Sequence, residues 1–544
     1  KSCKIYYEAR WYGEKEVEEN IAEYRAKISG LGIHPEEVTG LYLKRNAQML
    51  FLIFALYDMG IAFLPLDIHV PKQRNDSIIR QAEVTRILAD TACDLDAEVV
   101  RVELLEHRTE EHMTDSPVAY CISTSGTTGT PKIVQTGRRA FEFWMQDYAE
   151  FLKLKEAGSI LCMSEYTFDM FMIESLFARR YGMTILLAGD GETENAVRLM
   201  KLIRKEKPVY IQATPSRMKM LGMVDREYRC LSETEQVWLG GERIGEELLE
   251  RLQKTGKRII NIYGPTETTV CCMTADVTSG SEKLGTALGH SRIYLLDDQG
   301  NEAEAGEICV AGDCLFDGYR GDKVRTDERF TMHNGEPVYH TGDLAVRQGE
   351  ELVYRGRKDG QVKLRGYRVE LEEIENCLSH VAGVKDICVS VGEKEELCVW
   401  YTAEERLENE VFIRAAGKSL PDYMIPYKYI QVESIPMTAN GKRDRKALTG
   451  LKAVTAGKAD GQGTGEGTDK SMEERILKLV REKLERGDIT AESKLDEAGV
   501  DSLMYVELLV DIEDMFGMEF EDEKVSYKEM NCVRDIAEYV KSRI

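Results

Sequence analysis

The sequence predicts a large α/β unit with mainly parallel sheets, followed by a small α+β unit and a helical bundle. Three observations carry this. Between residues 38 and 346 short apolar runs alternate with amphipathic helical stretches. After Gly306 the pattern turns to short strands separated by Gly and Asp-Gly turns. Beyond a glycine-rich stretch the tail shows helical periodicity.

In order along the chain, residues 38–43 read as a strand. Residues 49–66 are apolar but interrupted by Asp58 and Gly60, too short to span a bilayer, and read as a core helix and a following strand. Residues 118–122 read as a buried strand, and 159–163, 184–187, 209–211 and 258–262 supply further apolar runs. The large unit is assigned to 1–358 and the small α+β unit to 359–450. Residues 451–470 are assigned to a flexible linker, because Gly461-Gln462-Gly463-Thr464-Gly465-Glu466-Gly467-Thr468 lacks any large apolar residue. The helical bundle, 471–544, is marked by Ile476, Leu477, Leu479, Val480 and Leu484, then Leu503, Val506, Leu509, Val510, Ile512 and Phe516.

With 544 residues, the chain has ample material for a large core. A net charge of −24 without a basic stripe argues against a nucleic-acid partner. The 13 cysteines show no CxxC spacing, so buried reduced thiols are expected rather than a zinc site or a disulfide framework. The first residue is Lys1, no leader or membrane span is visible, and a soluble cytoplasmic protein cut from a longer one is expected.

Several segments carry chemistry. Ser123-Thr124-Ser125-Gly126-Thr127-Thr128-Gly129-Thr130-Pro131-Lys132 packs hydroxyls and two glycines upstream of a lysine, which suits a polyphosphate. It is not a Walker A loop, since Pro131 intervenes between glycine and lysine. Asn261-Ile262-Tyr263-Gly264-Pro265-Thr266-Glu267-Thr268-Thr269 offers an aromatic face for a base and an acid for Mg2+. Tyr339-His340-Thr341-Gly342-Asp343-Leu344 places a carboxylate at a strand-turn, where it could accept bonds from two sugar hydroxyls, residues 356–368 gather cations around Asp359, and Asn440-Gly441-Lys442 presents a lysine on a turn. Each alone also fits an ordinary turn, hairpin or surface ribbon.

Taken in order, these segments resemble the adenylate-forming superfamily. The likeness is greatest to its amino-acid-activating branch, the adenylation domains of non-ribosomal peptide synthetases. It extends over nearly all of residues 1–450, including Gly60-Ile61-Ala62-Phe63-Leu64-Pro65-Leu66-Asp67, Gly306-Glu307-Ile308-Cys309-Val310-Ala311-Gly312, Gly318-Tyr319 and Val369-Glu370-Leu371-Glu372-Glu373-Ile374-Glu375. Ala213-Thr214-Pro215-Ser216 and Met437-Thr438-Ala439-Asn440-Gly441-Lys442 also look like D-alanine–carrier ligases. Ile133 stands where the family usually has glycine. The resemblance implies a large multi-layer adenylation domain with a small C-terminal subdomain.

The same resemblance implies roles. Thr124, Ser125, Gly126, Thr127, Thr128, Gly129 and Lys132 would bind the phosphates of ATP, Glu267 the Mg2+, and Thr266 a phosphate oxygen. Tyr263 would stack on adenine with Asn261 and Gly241 at its edge, and Asp343 and Arg357 would hold the ribose. Lys442 would contact the carboxylate and α-phosphate during activation. Asp359 would be the hinge about which the small subdomain turns to carry Lys442 away. Asp169 would pair with an amino acid's α-ammonium, and Met170, Ile173, Gln212, Trp238, Gly240, Ile262, Val270 and Cys271 would line the side-chain pocket. None of these eight carries a charge, so a hydrophobic substrate is expected, with Gly240 leaving room for bulk and Gln212 available to a polar group on the substrate.

Residues 495–508 look like a carrier domain, with Ser502 matching the 4'-phosphopantetheine attachment serine; the bland reading is that Asp501 or Ser502 caps the next helix. The implied partners are an amino acid, a phosphopantetheinyl transferase, and condensation or release domains in cis or trans, with neither nucleic acid nor membrane. The alternatives are a D-alanine–carrier ligase, an acid:CoA ligase, which Asp169 and Ser502 oppose, and a non-catalytic nucleotide-binding module.

Overall fold

The structure is a computed structural model that describes residues 2–106, 113–126, 130–155, 158–358, 361–364, 367–392, 396–426, 428–437, 443, 445–448, 472–484, 489–495, 498, 500, 502–516, 518, 520 and 530–542. Two compact units are present: residues 1–189, 207–218 and 232–454, and residues 190–206, 219–231 and 455–544.

Three sheets build most of the first unit. The nine-stranded sheet runs, edge to edge, Thr286–Ala287, Met273–Asp276, Arg258–Tyr263, Gln236–Gly240, Tyr210–Ala213, Ser159–Cys162, Thr184–Leu187, Ile5–Tyr7 and Arg10–Tyr12. Its central pairs are parallel, as the apolar runs predict, and the edges turn antiparallel. The seven-stranded sheet runs Gly318–Tyr319, Lys132–Gly137, Val118–Thr124, Ala62–Leu66, Val38–Tyr42, Arg86–Ala89 and Glu98–Arg101. The five-stranded sheet is antiparallel, from Ser291–Leu296 through Ala305–Gly312 to Glu336–Gln348, which pairs with both Phe330–His333 and Glu351–Arg357.

The apolar segment 49–66 resolves into the helix Ala47–Asp58 and the strand Ala62–Leu66. Asn46 caps the helix by accepting the Met49 N–H at 3.0 Å. From Met49 to Leu56 every side chain is buried, the mark of a helix enclosed in a core rather than lying on a surface. Ile133, at the family's glycine position, is a core residue of the seven-stranded sheet.

The small α+β part pairs the hairpin strands Gln361–Leu364 and Tyr367–Glu370, then packs helices Leu371–Leu378 and Asn409–Ala416 with the strands Val384–Val391, Leu397–Ala403 and Lys428–Gln431.

In the second unit the helix Met472–Leu484 buries Ile476, Val480 and Leu484, at i, i+4 and i+8, while Leu477 and Leu479 are not among its buried residues. Ser502–Phe516 and Val533–Lys541 complete the helical set, with Leu509 and Ile512 buried and the Tyr505 hydroxyl donating to the Met530 carbonyl at 2.9 Å. The same unit takes in the helix Ala196–Glu206 and the turn Arg229–Leu231, which the sequence reading places with the large α/β unit. Asp225 ties those two together, 3.5 Å from Arg204 and accepting the Cys230 N–H at 2.7 Å.

Candidate active site

Three adjacent parallel strands, Tyr210–Ala213, Gln236–Gly240 and Arg258–Tyr263, carry candidate residues near their carboxyl ends, where open α/β sheets generally bind ligands. Register sets Gln212 beside Trp238 and Gly240 beside Ile262, and Arg258–Tyr263 delivers Asn261, Ile262 and Tyr263 at its end.

The phosphate-loop segment links Val118–Thr124 to Lys132–Gly137, with Thr124 paired to Lys132. Gly126 is required where it stands, because a Cβ would overlap the Thr130 carbonyl. Thr127, Thr128 and Gly129 lie outside the described residues. What meets the loop is the small α+β part: Ser125 Oγ donates to the Arg368 carbonyl at 2.7 Å, and the Gly126 N–H donates to Glu373 Oε2 at 3.2 Å. Lys132 Nζ donates to Glu370 Oε1 at 2.8 Å with both side chains buried, and Arg74 pairs with Glu373. Burial and the nearby Arg368 push the Lys132 pKa down, against the pull of Glu370 and Glu267. Thr124 Oγ1 is buried with no hydrogen-bond partner among the described residues, so the segment keeps an unused polar group as well as a cation.

Glu267 sits in the single helical turn Thr266–Thr268, fully buried. Burial would raise its pKa, but the Arg368 guanidinium and Lys132 override that and hold it at about 2. Arg368 Nη1 lies 2.7 and 2.8 Å from its two oxygens, and the Tyr319 hydroxyl donates to it at 2.7 Å. One residue away stands Thr266, whose side chain favours the ionised form of Asp169. Asp169 is 8% exposed, and burial lifts its pKa to about 6 against Thr266 and the Met170 N–H.

Tyr263 donates its hydroxyl to Asp343 Oδ2 at 2.6 Å, and Arg357 Nη1 donates to Asp343 Oδ1 at 2.8 Å. The aromatic and the two ribose candidates therefore form one cluster. Asn261 donates to the Lys283 carbonyl at 2.7 Å, and Gly241 adopts a positive φ of 86°. Lys363, from the hairpin of the small part, lies 5.5 Å from the Tyr263 ring centroid. Burial lowers its pKa, and Asp343 opposes that.

The pocket candidates Met170, Ile173, Trp238, Ile262, Val270 and Cys271 belong to one apolar cluster. Ile173 opens a π-helical turn, Ile173–Phe177, an irregularity that often marks functional sites. Trp238 stacks on Tyr210 and donates to Gln236 Oε1 at 3.0 Å, while the Trp144 indole donates to Cys271 Sγ at 3.3 Å. Thr269 and Val270 hold consecutive positive φ values of 54° and 66°, strained for β-branched residues and pinned where Thr269 Oγ1 donates to the Cys314 carbonyl.

Two expectations about this pocket are corrected. The room above Gly240 is filled, since a Cβ there would overlap Ile262 and Met170. Gln212 is engaged within the protein: it donates to Glu174 Oε1 at 2.7 Å and Ser164 Oγ at 3.0 Å, and accepts the Ala213 N–H at 3.1 Å. Glu174 in turn accepts the N–H groups of Met163 and Ser164, and burial pushes its pKa up to about 7 against them.

Lys442 and Asp359 lie outside the described residues, as does the side chain of Ser502, which is the first residue of the helix Ser502–Phe516. Sequence reasoning did not single out Arg368, Glu370, Lys363 or Glu174. For the first two a signal existed: Arg368 and Glu370 alternate on the strand Tyr367–Glu370 and so share a face.

Residues 2–320 match the family described as AMP-binding enzyme. The chain belongs to that family. Residues 474–540 match the family described as phosphopantetheine attachment site, so this AMP-binding enzyme is an adenylate-forming ligase whose adenylation domain is fused to a carrier region. It is 30% identical over 484 residues to surfactin synthase subunit 1 of Bacillus subtilis, covering 82% of this chain and 13% of that protein. To bacitracin synthase 1 of Bacillus licheniformis it is 27% identical over 531 residues, covering 93% of this chain and 10% of the relative. The chain thus spans only about an eighth or less of these relatives. In fold it is similar to holo-PA1221, a non-ribosomal peptide synthetase protein containing adenylation and carrier domains, with a TM-score of 0.80 at 22% identity over 100% of this chain and 94% of that one. Among the described residues no helix is long and apolar enough to cross a membrane.

Proposed function

We propose that this AMP-binding enzyme activates an α-amino acid with an uncharged, apolar side chain and loads it onto its own carrier region, as one module of a non-ribosomal peptide synthetase. The observation that carries the reading is Asp169, a buried carboxylate beside an apolar cluster: burial raises its pKa to about 6, and the attraction of Lys363 is the smallest of the influences acting on it. An α-ammonium would add a direct countercharge to the attraction of Lys363, whereas a fatty or aryl acid would add none. With Gly240's space filled and Gln212 engaged, the pocket retains its apolar character but loses the argument for a large or hydrogen-bonding side chain.

In the first half-reaction the amino acid's carboxylate oxygen would attack the α-phosphorus of ATP and pyrophosphate would leave. Two anions meet there, and Lys132 and Lys442 would offset their repulsion. Glu267, a buried carboxylate with Lys132 close by, is the residue suited to hold Mg2+, which would neutralise charge on the phosphates. Tyr263 would stack on adenine and Asp343 would bind the ribose. In the arrangement described, Lys132 is committed to Glu370 and Glu267 to Arg368, so the hairpin 361–370 has to withdraw before both can serve ATP. That withdrawal fits the hinge role inferred for Asp359. Ser502 would carry the phosphopantetheine whose thiol accepts the aminoacyl group as AMP leaves.

The test is pyrophosphate exchange into ATP across an amino-acid panel, with des-amino analogues alongside. Exchange is expected with apolar amino acids, and not with Asp, Glu, Lys, Arg or the des-amino acids. Equal exchange with the des-amino acids overturns the amino-acid assignment. In parallel, Ser502→Ala should keep full exchange yet gain no mass from a phosphopantetheinyl transferase and CoA; a modified variant sinks the attachment site.

A further inference from the structure

The strands Ala305–Gly312 and Glu336–Gln348 bring together three metal-ligand types that the adenylation chemistry does not use. Cys309 is register-paired with His340, and Glu307, two residues before Cys309 and across an irregularity in the pairing, brings its carboxylate to the same histidine. His340 Nδ1 is 3.4 Å from Cys309 Sγ and 3.2 Å from Glu307 Oε2, and one donor atom from each residue lies within 4.8 Å of the others. Bonds of about 2.0–2.3 Å at tetrahedral angles would set such donors about 3.2–3.6 Å apart.

The outer groups fit as well. His340 Nε2 is 2.7 Å from Thr331 Oγ1, and Glu307 Oε1 accepts the Gly342 N–H at 2.9 Å, so the second ring nitrogen and second carboxylate oxygen are already held. Cys309 is buried while His340 is 24% and Glu307 12% exposed, which leaves an approach from solvent. Lys358 Nζ, 3.8 Å from Glu307 and 2.7 Å from Asp298, is the neighbouring cation and can stay with Asp298.

We propose that Glu307, Cys309 and His340 form a binding site for a thiophilic divalent cation, Zn2+ being the ion whose ligand preference they match, separate from Glu267. Binding replaces the Cys309 thiol proton, which passes to solvent, and leaves one coordination position to water. The ion would clasp the two strands a short step before Thr341 and Asp343.

The test titrates the intact chain, free of nucleotide, with Co2+ alone and then displaces it with Zn2+. One equivalent of Co2+ with a thiolate-to-cobalt absorption band is expected, lost in Cys309→Ser and weakened at least tenfold in His340→Asn. Thr331→Val, which touches only the outer nitrogen, should weaken Co2+ about tenfold. Because His340 and Thr331 are partly exposed, those two variants report on the site even if Cys309→Ser fails to fold. Absence of the band in the parent protein, or a band unchanged in His340→Asn, overturns the proposal.

Discussion

The Asp169 carboxyl, lifted by burial to about 6, resists ionisation more than it would in an unfolded chain. A buried acid whose folded pKa lies above its unfolded value lowers stability wherever it is charged. The penalty is absent below about pH 4, grows as pH rises, and is complete above about pH 6. Asp169→Asn should therefore stabilise the substrate-free protein by on the order of 2 kcal/mol at pH 7.5 and by less at pH 5, while abolishing amino-acid-dependent exchange. Thermal unfolding at the two pH values checks the first half. The same carboxyl must be ionised to meet an α-ammonium, so the parent's KM for the amino acid should climb as pH falls below 6. A flat KM between pH 5 and 8, or a destabilised Asp169→Asn, would remove Asp169 from the ammonium role.

The strands were readable wherever burial on both faces wrote a continuous apolar run: Ala62–Leu66, Ser159–Cys162 and Arg258–Tyr263 all fall where periodicity placed them. Tyr263 was readable at the end of such a strand, whereas Asp343, read at a strand-turn, lies inside the long strand Glu336–Gln348; their 2.6 Å hydrogen bond joins two motifs 80 positions apart. Arg368's attachment to Glu267 was not readable, because it depends on a hairpin packing against a turn 101 positions earlier. Nor was the fate of Gly240, since a missing Cβ in the sequence looks like space until Ile262 and Met170 are seen to fill it. This gives an element-level expectation. Gly240→Ala should destabilise by about 1–3 kcal/mol through overpacking, because Ile262 is fixed in the adjacent strand even though the Met170 end can swing away. Adding Ile262→Ala should recover much of that loss, a non-additive coupling measurable from urea midpoints in the four-membered cycle. Simple additivity would mean that the two side chains do not compete for the same space.

At the scale of the whole molecule, the residues that would serve ATP are already spoken for by the small α+β part. Lys132 faces Glu370, the Gly126 N–H faces Glu373, and Glu267 is clamped by Arg368. These carboxylates take the partners that phosphates would need, so the arrangement suits a stage after pyrophosphate has left. Arg443, next to Lys442 in sequence, is bound to Glu375 and Asp386 within the small part, 2.8 and 2.7 Å away. Two substitutions should then divide the reaction. Lys442→Ala should lower adenylate formation by about two to three orders of magnitude, as deletion of one preorganised charge contact does, and spare aminoacyl transfer from preformed adenylate. Arg368→Ala should do the converse: it strips a buried carboxylate of its cation only where the hairpin is inserted, so transfer to the carrier thiol falls while pyrophosphate exchange persists. Single-turnover transfer from preformed aminoacyl-adenylate, set beside pyrophosphate exchange for both variants, reads the division directly. If each variant depresses both half-reactions by the same factor, one fixed geometry serves both steps and the turning of the small part has no place in the cycle.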